Sequence, residues 1–424
     1  MKSEFTKASV AVAIGCWLAF LTGPNAMIAS TNGNFLNVLP EALGTTRTGV
    51  SSALAISVWL VGLVLPITGR LMDRVGIRAV IIPGLIMFAV VHVLLGMMTQ
   101  LWHFFALQIA LAFVVTACNA VGYAKIISMW FDRNRGVVLG ICVAFGAGLG
   151  QTIMPKLSQH FIEMGGYRGG YWLIAGLIAF VGLPSVFLLV RPPKQGEGPY
   201  SSFMTGSGAP SASGAAEPVE VEEAEKVKYG LLLSEALRTR ELPLIFVAIA
   251  LASMSLLGTL QQAVPMLTDR GVMIDNATTV MSLIFAGVVA GEFSAGFIVD
   301  RLNTPRVVVP YFLCAILGLS VIHHSTNPVL LMATAPLMGL GLGCEIGLNA
   351  YLISRYFGLR SFGTLYGLTL GASNLGIGFG IIAMGYVRDT TGSYDLMSTI
   401  LPITMSLSLV CMLFLGKFRF APRR

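Results

Sequence analysis

Long apolar runs follow one another along most of the chain, separated by short polar stretches. A helix that crosses the hydrocarbon layer needs about 20 mostly apolar residues, because it rises about 1.5 Å per residue across roughly 30 Å. A window of that length predicts twelve membrane-spanning helices, six in each half of the chain. Those of the first half cover residues 10–38, 49–69, 79–99, 102–130, 136–162 and 170–190, and those of the second half cover residues 242–267, 278–299, 307–323, 328–356, 362–387 and 396–416.

The composition is that of a chain that lies mostly in lipid. Of the 424 residues, 55% are hydrophobic and only 11% are charged, and the mean hydropathy is +0.79. An ordinary soluble domain has about 25% charged residues, so this chain has too few charges to cover a globular surface. The six cysteines lie within apolar runs and form no C-x-x-C pair, which favours packing over disulfides or metal ligands. The sequence predicts an all-α membrane protein that binds no metal and no other cofactor.

The basic residues are distributed unevenly between the predicted loops. Cytoplasmic loops of membrane proteins carry the excess of lysine and arginine. When the N-terminus is placed in the cytoplasm, 21 of the 27 basic residues fall on the cytoplasmic side, whereas Arg47, Arg168, Arg270 and Arg388 fall outside. This asymmetry explains the net charge of +7 without a nucleic-acid partner. We expect a multi-pass protein of the cell (inner) membrane with both termini in the cytoplasm.

A long polar stretch, residues 191–241, separates the two sets of six spans. It begins with Gly, Ser and Pro, continues through an acidic run and ends in a helical pattern at residues 231–240. Such a composition buries too little apolar area to order itself, so we predict a flexible cytoplasmic linker with a short surface helix. The predicted domains are an N-terminal six-helix bundle over residues 1–190 and a C-terminal six-helix bundle over residues 242–424.

The two halves also repeat each other in sequence. The segment GRLMDRVG at residues 69–76 recurs as GFIVDRLN at residues 296–303, an offset of 227 residues. The same offset relates Tyr167 to Tyr394. A near-constant offset across several loops and spans indicates duplication, and parallel six-helix repeats are the plan of one major class of secondary transporter.

The segment GRLMDRVGIR between the second and third spans resembles the G-x-L-x-D-R-x-G-R signature of the major facilitator superfamily. The resemblance extends over the whole chain outside the linker and implies two six-helix bundles in which spans 1, 4, 7 and 10 line a central cavity. It also implies that Asp73 and the nearby arginines pair across the two halves and stabilise one closed state. Alternatively, Arg74 and Arg78 are ordinary cytoplasmic anchors. The expected gating residues are Gly69, Asp73, Arg74, Gly76 and Arg78, with Asp300 and Arg301 in the degenerate second copy.

Two further segments resemble a narrower branch, that of the monocarboxylate transporters and oxalate/formate antiporters. They are SMWFDRNRGVVLG at residues 128–140 and YLISRYFGLRSFGTLYG at residues 351–367. That branch moves small organic anions, usually with a proton or by exchange. One position departs from it. Glu292 stands four residues before Gly296, where animal-type carriers place the arginine that holds the substrate carboxylate.

Three ionisable residues, Lys125, Glu292 and Glu345, stand well inside predicted spans. A charge near the bilayer centre costs about 2.5–3.5 kcal/mol, so such residues are candidates for function. Each lies about eight to ten residues from the cytoplasmic charges of its span, so all three have a similar depth of roughly 12–15 Å. They are therefore candidates for one shared cavity. Lys125 lies about 200° around the helix from Tyr123 and either serves as a counter-ion or anion-binding group or extends to the cytoplasmic surface.

Two pairs of polar residues occupy equivalent positions in the repeats. Asn119 and Tyr123 are four residues apart on span 4, and an offset of 226 residues leads to Glu345 and Asn349 on span 10. Residues four apart share one face of a helix, so each pair is expected to line the central cavity. The alternative is that Asn119 and Tyr123 only join neighbouring helices by hydrogen bonds.

These patterns favour a secondary active transporter of a small, monocarboxylate-like organic anion that works by alternating access, with protons or by exchange. The alternative is a proton-coupled exporter of a neutral or cationic small molecule, since two mid-span glutamates accompany a single lysine. We expect no enzyme activity, because the chain has no H-E-x-x-H and no G-x-S-x-G motif. Glu345 is the favoured proton site, and Glu292 is a second site or a partner of Lys125. The expected partners are a small-molecule substrate, protons and the lipid bilayer, and the protein is expected to be a monomer.

Overall fold

The computed structural model describes residues 5–118, 120–131, 135–193, 230–302, 304–358 and 360–420. The side chains of some helical residues in these ranges, Asp73 and Asp300 among them, are not described. Within this part of the chain every regular element is a helix, and the helices follow the predicted order of spans. We number the membrane-crossing segments span 1 to span 12.

In the first half, spans 2 and 3 are single helices, whereas the other spans are built from shorter pieces. Span 1 breaks at Gly23 and Pro24, because proline has no N–H to donate and its ring crowds the preceding turn. Span 1 consists of Lys7–Leu21, the π-helical turn Asn25–Ala29 and Asn32–Ala42, span 2 is Arg47–Val75, span 3 is Ile77–Met97, and span 4 consists of Leu101–Ala117 and Ala120–Trp130. Spans 5 and 6 together consist of Arg135–Gly140, the π-helical Ile141–Ala147, Gly148–Leu177, the π-helical Ile178–Gly182 and Leu183–Leu189.

In the second half, each span is one long α-helix. A short helix at Leu233–Ala236 precedes them, within the region where the sequence predicts a surface helix. The long helices are Glu241–Asp269 in span 7, Ile274–Leu302 in span 8, Val308–His324 in span 9 after the 3₁₀ turn Pro305–Val307, Pro328–Phe357 in span 10, Phe362–Thr391 in span 11 and Asp395–Leu413 in span 12.

The described part of the chain crosses the membrane twelve times. Among the described residues, 11 helical stretches are long and apolar enough to cross, and the longest, Val138–Leu189, has 52 residues. That length is more than two crossings need at about 20 residues each. The stretch is broken at Gly165 and Gly166, and Gly166 has a φ of 61°, which a glycine adopts without the steric cost of a Cβ atom. It therefore forms spans 5 and 6, and the predicted all-α fold with twelve membrane helices is confirmed.

The buried apolar side chains form two clusters, one for each half of the chain. Phe88 and Trp130 are fully buried in the first cluster, and Phe312 and Tyr356 are fully buried in the second. Ile381 of span 11 belongs to the cluster of the first half. Most apolar packing therefore lies within one half, and span 11 is where the two cores meet.

Three pairs of spans carry most of the contact between the halves. Span 2 packs against span 11, span 1 against span 7, and span 5 against span 8. At the seam of spans 2 and 11, the indole of Trp59 lies so close to Gly378 that a Cβ atom there would be 2.1 Å from Nε1. Trp59 also contacts Phe379, with ring centroids 5.5 Å apart. The absence of a side chain at position 378 therefore allows the two halves to approach closely.

Both ends of the described chain lie at the same face of the bundle, which we call the terminal face. The ring of Phe5 lies 5.6 Å from that of Phe131 at the end of span 4, and the N–H of Phe420 donates to the carbonyl of Arg355 at the end of span 10. The opposite face, where span 2 begins at Arg47, is called the distal face. Residues 194–229 of the predicted linker lie outside the described part, so its flexibility stays a prediction, as do the domain boundaries.

The seam at Gly378 generates a stability prediction. Gly378→Ala is expected to lower the free energy of unfolding by about 1–3 kcal/mol, because its new methyl group overlaps the Trp59 indole. The matched control is Gly371→Ala on the same span, where nothing lies within 4 Å of the added Cβ and a better helix former is introduced. Thermal unfolding of the purified variants in detergent measures both changes. Equal stability of the two variants would contradict the close contact between spans 2 and 11.

Candidate functional site

The two halves are joined at the distal face by a network of charges centred on Asp269, the last residue of span 7. Arg47, the first residue of span 2, places Nη2 2.8 Å from Asp269 Oδ1. Arg388 of span 11 places Nε 2.6 Å from Asp269 Oδ2. The carboxylate therefore binds one arginine from each half. The second terminal nitrogen of Arg47 donates to the hydroxyl of Tyr394, 2.6 Å away.

Asp389 of span 11 caps the first turn of span 2 from across the seam. Its carboxylate accepts hydrogen bonds from the backbone N–H of Thr48 at 2.7 Å, from the Thr48 hydroxyl at 2.5 Å and from the backbone N–H of Arg47 at 3.3 Å. The first N–H groups of a helix have no partner within the helix and carry partial positive charge. An acidic side chain of one half thus stabilises a helix start of the other half.

A layer of uncharged hydrogen bonds lies beneath these charges. Gln262 of span 7 donates to the hydroxyl of Ser51 in span 2 at 2.9 Å, and its amide oxygen accepts from the Tyr394 hydroxyl at 3.3 Å. Burial raises the pKa of Tyr394 to about 12, so this hydroxyl stays protonated at neutral pH and continues to donate. Together these contacts close the distal face. The residues of this distal gate are Arg47, Thr48, Ser51, Gln262, Asp269, Arg388, Asp389 and Tyr394.

The terminal face lacks such a network among the described residues. No hydrogen bond between two described side chains joins the halves there, and the ion pairs and hydrogen bonds that do cross lie nearer the distal face. On the terminal half of span 11, Gly363, Gly367 and Gly371 have no atom within 4 Å of the position that a Cβ would occupy. Apolar contact does cross the terminal half of the seam, where Phe293 of span 8 lies 5.4 Å from the ring of Phe145 in span 5 and borders Gly140. The described residues are therefore joined by charges at the distal face, and no hydrogen bond between described side chains joins the halves at the terminal face.

The sequence-predicted gating residues surround the turn between spans 2 and 3, at the terminal face. Gly76 makes that turn with a φ of 92°. Arg78 donates to the carbonyl of Phe187 at 2.8 Å within its own half, and the guanidinium of Arg301 lies 4.1 Å above the ring of Phe297 in its own span. Arg74 is exposed, Gly69 lies in the span 2 helix, and the side chains of Asp73 and Asp300 lie outside the described part. Pairing of this motif across the halves therefore stays a prediction.

The distal gate was missed by the sequence reasoning, although a signal was present. Arg47 and Arg388 are basic residues on the side where few are expected, and Asp269 and Asp389 stand at span ends on that same side. Acidic and basic residues that gather at span ends against the general charge pattern are candidates for ion pairs between halves.

Glu345 is buried in the second half, where three spans meet. One carboxylate oxygen accepts a short hydrogen bond from the hydroxyl of Ser253 in span 7, and the Ser253 and Ser373 hydroxyls are 2.7 Å apart. The other oxygen, Oε2, is buried with no hydrogen-bond partner among the described residues. Asn349 lies one turn further along span 10, and its buried amide oxygen also has no hydrogen-bond partner among the described residues. Two buried oxygens on one helix face therefore have no hydrogen-bond partner among the described residues.

Tyr123 is the described member of the equivalent pair in the first half. It is 1% exposed, and its ring lies 5.5 Å from that of Phe20 in span 1. Its hydroxyl has no hydrogen-bond partner in the described part of the chain. Asn119, the other member, lies outside the described residues. A polar group without a partner is thus present on span 4 as well as on span 10.

The structure separates the three mid-span charges that the sequence suggested for one cavity. Glu292 is half-buried on the side of span 8 that packs against Gly343 and Gly347 of span 10. Glu345 lies two residues from each of these glycines, about 200° around the helix, and contacts span 7 instead. Lys125 is exposed and lines a cavity beside Gly76 and Arg78 at the terminal face. The three side chains therefore have different described neighbours in this conformation, and a cavity that they share stays a prediction.

Two packed halves of six spans, with a polar interior and a gate at one face, define a membrane transporter. The chain matches the family model described as Major Facilitator Superfamily over residues 18–381, and it belongs to that superfamily. This agrees with the expectation of a transporter rather than an enzyme. The match to the family model does not assign the chain to the monocarboxylate branch.

Two relatives and one solved structure illustrate the similarity. The MFS transporter asaE of Aspergillus flavus is 26% identical over 342 residues, which are 78% of this chain and 69% of that protein. The Fujikurins efflux protein of Gibberella fujikuroi is 32% identical over 137 residues, which are 31% of this chain and 27% of that protein. A crystal structure of the nucleoside transporter NupG superimposes with a TM-score of 0.70 over 96% of this chain and 99% of that chain at 14% identity, which supports the fold alone.

The central position of Asp269 generates a prediction about the distal gate. Asp269→Asn removes the charge that both arginines bind, which costs on the order of 2 kcal/mol and shifts the ratio of closed to open conformers by roughly 30-fold. Pulsed electron paramagnetic resonance between spin labels at exposed Glu41 and Met273, one in each half, is expected to report longer distances in the variant.

Asp275→Asn is the matched control for this measurement. It also removes an ion pair between the halves, but Asp275 and its partner Lys156 are 78% and 48% exposed. Pairs of that kind contribute about 0–1 kcal/mol, so the distance distribution is expected to stay close to that of the unmodified protein. If both variants left the distribution unchanged, Asp269 would not hold the gate.

Proposed function

We propose that this protein is a proton-coupled exporter of a neutral or cationic small molecule, and that Glu345 is its proton-binding group. The observation that carries the proposal is the buried Glu345 carboxyl, with one oxygen bonded to Ser253 and the other without a described donor. A carboxyl group removed from water favours its neutral, protonated form, and it regains a charge when water or a cation reaches it. Such a group alternates between binding a proton and binding a substrate.

The polar atoms near Glu345 favour a substrate that donates hydrogen bonds or carries positive charge. The two acceptor oxygens without described donors, Glu345 Oε2 and Asn349 Oδ1, lie on one face of span 10. Leaving a buried acceptor unpaired costs about 1–3 kcal/mol, so a ligand that donates to these atoms recovers that free energy. An anion placed there is repelled whenever Glu345 is ionised.

A small organic anion is the competing proposal, supported by the two motif segments in the loops after spans 4 and 10. It requires a cation beside the substrate, and the sequence offered Lys125 for that role. Lys125 is exposed at the terminal face beside Arg78, whereas Glu345 is buried against Ser253. The exporter is therefore favoured over the anion carrier.

The assignment of the two faces to the two sides of the membrane determines the order of steps in the proposed transport cycle. We assign the terminal face to the cytoplasm, because the excess of basic residues lies on the loops at that face and cytoplasmic loops carry such an excess. The described conformation then faces the cytoplasm, with the distal gate closed to the outside. Opening of the gate admits a proton to Glu345 and releases substrate, and reclosure carries the proton inward. The name of the Fujikurins efflux protein agrees with this direction.

Glu345→Gln tests the proton assignment in proteoliposomes. The variant is expected to lose accumulation driven by an imposed pH gradient, because glutamine neither binds nor releases a proton. It is expected to retain exchange of substrate across the membrane, which needs no net proton movement. The probes are ethidium as a cation and lactate as an anion, each measured with and without the gradient.

Glu292→Gln is the matched control, since Glu292 is half-buried on another side of span 10 and does not bind Ser253. Its pH-driven transport is expected to persist. Unchanged pH-driven accumulation by Glu345→Gln would remove Glu345 as the proton site and make Glu292 the next candidate. Transport of lactate but not ethidium by the unmodified protein would support the anion carrier instead.

A further inference from the structure

Many hydroxyl groups on the spans donate a hydrogen bond to a carbonyl of their own helix. Ser255 of span 7 donates to Leu251 at 2.8 Å, and Ser320 of span 9 donates to Ile316 at 2.6 Å. Such a bond to the carbonyl four residues earlier is common for a serine inside a helix. Ser253 and Ser373 make no such bond to a described carbonyl, and their hydroxyl groups bond to side chains of other spans instead.

Ser253, Ser373 and Glu345 come from three spans and form one continuous chain of hydrogen bonds. The Ser253 hydroxyl donates to Glu345 Oε1, and the hydroxyl oxygens of Ser253 and Ser373 are 2.7 Å apart. A hydroxyl group has only one hydrogen to donate. Because Ser253 gives that hydrogen to the carboxylate, Ser373 is the donor to Ser253. Both hydroxyl hydrogens of the chain therefore point towards Glu345.

The three members of this chain differ in their access to water. Glu345 is 7% exposed and Ser253 is fully buried, whereas Ser373 is partly exposed. Ser373 is therefore the member at which water can deliver a proton. Direct proton transfer requires heavy atoms about 2.6–3.2 Å apart, and the distance between the two serine oxygens meets this requirement.

The carboxyl group of Glu345 has Ser253 as its only hydrogen-bond partner among the described residues. The described ionisable residues on the elements around it are Glu292 of span 8, Tyr311 of span 9, Tyr366 of span 11 and the adjacent Cys344 of span 10. None of these four forms a described hydrogen bond with the carboxyl group. Tyr311, for example, donates to Ser294 at 2.8 Å. The two serines are therefore the described hydrogen-bonded route to Glu345.

We propose that Ser373 and Ser253 relay the proton between water and Glu345, an inference that rests on the proposed role of Glu345 as the proton-binding group. A hydronium ion gives a proton to the Ser373 oxygen, the hydrogen of Ser373 passes to Ser253, and the hydrogen of Ser253 passes to Glu345 Oε1. The hydronium ion and the carboxylate become water and a carboxylic acid, and each serine ends with one hydrogen, as it began. Release of the proton follows the same steps in reverse.

Time-resolved infrared spectroscopy of the full chain in detergent tests the relay. Light releases protons from a caged acid, and the C=O stretching band of the protonated carboxyl group is followed over time. The band of Glu345 is identified by its absence from Glu345→Gln. Ser373→Ala removes the outer hydroxyl without touching the carboxylate. It is expected to slow the rise of the band about tenfold to 100-fold, the effect of losing one hydrogen bond to a charge in transit, and to leave the final amplitude unchanged.

Two variants serve as controls. Ser373→Thr keeps a hydroxyl group at the same position and is expected to retain the rate of the unmodified protein. Ser255→Ala removes a hydroxyl two residues from Ser253 on span 7, where it donates to the carbonyl of Leu251 and lies outside the chain. Its rate is also expected to stay unchanged.

The outcomes separate the relay from the proton assignment. An unchanged rate in Ser373→Ala would overturn the relay and leave Glu345 as the proton site. Equal slowing in Ser255→Ala would also overturn it, because the effect would then come from a general loss of packing. If no band of the unmodified protein were missing from Glu345→Gln, Glu345 would not bind the proton, and the proposed function and the relay would both be wrong.

Discussion

The carboxylate of Asp269, bound by one arginine from each half, is the interaction on which the conformation of the transporter depends. Arg47 and Arg388 meet at this single group, and Asp389 adds a second acidic contact from span 11 to the start of span 2. Because the network is partly exposed to water, each pair contributes on the order of 1 kcal/mol and can separate at modest cost. Contacts of this strength hold the distal face closed and are weak enough to be broken when two halves of a transporter separate.

The close seam beneath the gate and the buried carboxyl group act on the same equilibrium. Trp59 against Gly378 brings spans 2 and 11 together, and Ser373 on span 11 lies within hydrogen-bonding distance of Ser253, which bonds to Glu345. Span 11 therefore contacts the gate, the seam and the proposed proton site. A shift of this helix changes the surroundings of Glu345, so the proposed proton site and the distal gate are linked through span 11.

Sequence reasoning predicted the twelve crossings because hydrophobic length is a local property, and it selected Glu345 because a mid-span charge is costly. It missed the gate because Arg47 and Asp269 are 222 residues apart and meet only through tertiary packing. It placed Lys125 and Glu292 with Glu345 on the basis of depth alone. Rotation around the helix decides which neighbours a side chain meets. Glu345 contacts span 7, Glu292 contacts the glycines of span 10, and Lys125 lies beside Gly76.

We propose that closure of the distal face and opening of the terminal face are one reciprocal motion governed by protonation of Glu345. Pulsed electron paramagnetic resonance tests it with two label pairs, Glu41 with Met273 at the distal face and Val75 with Thr364 at the terminal face, all of them exposed. On acidification, the account predicts that the two distances change in opposite directions in the unmodified protein and stay fixed in Glu345→Gln. Distances that change in the same direction, or that respond equally in Glu345→Gln, would contradict it.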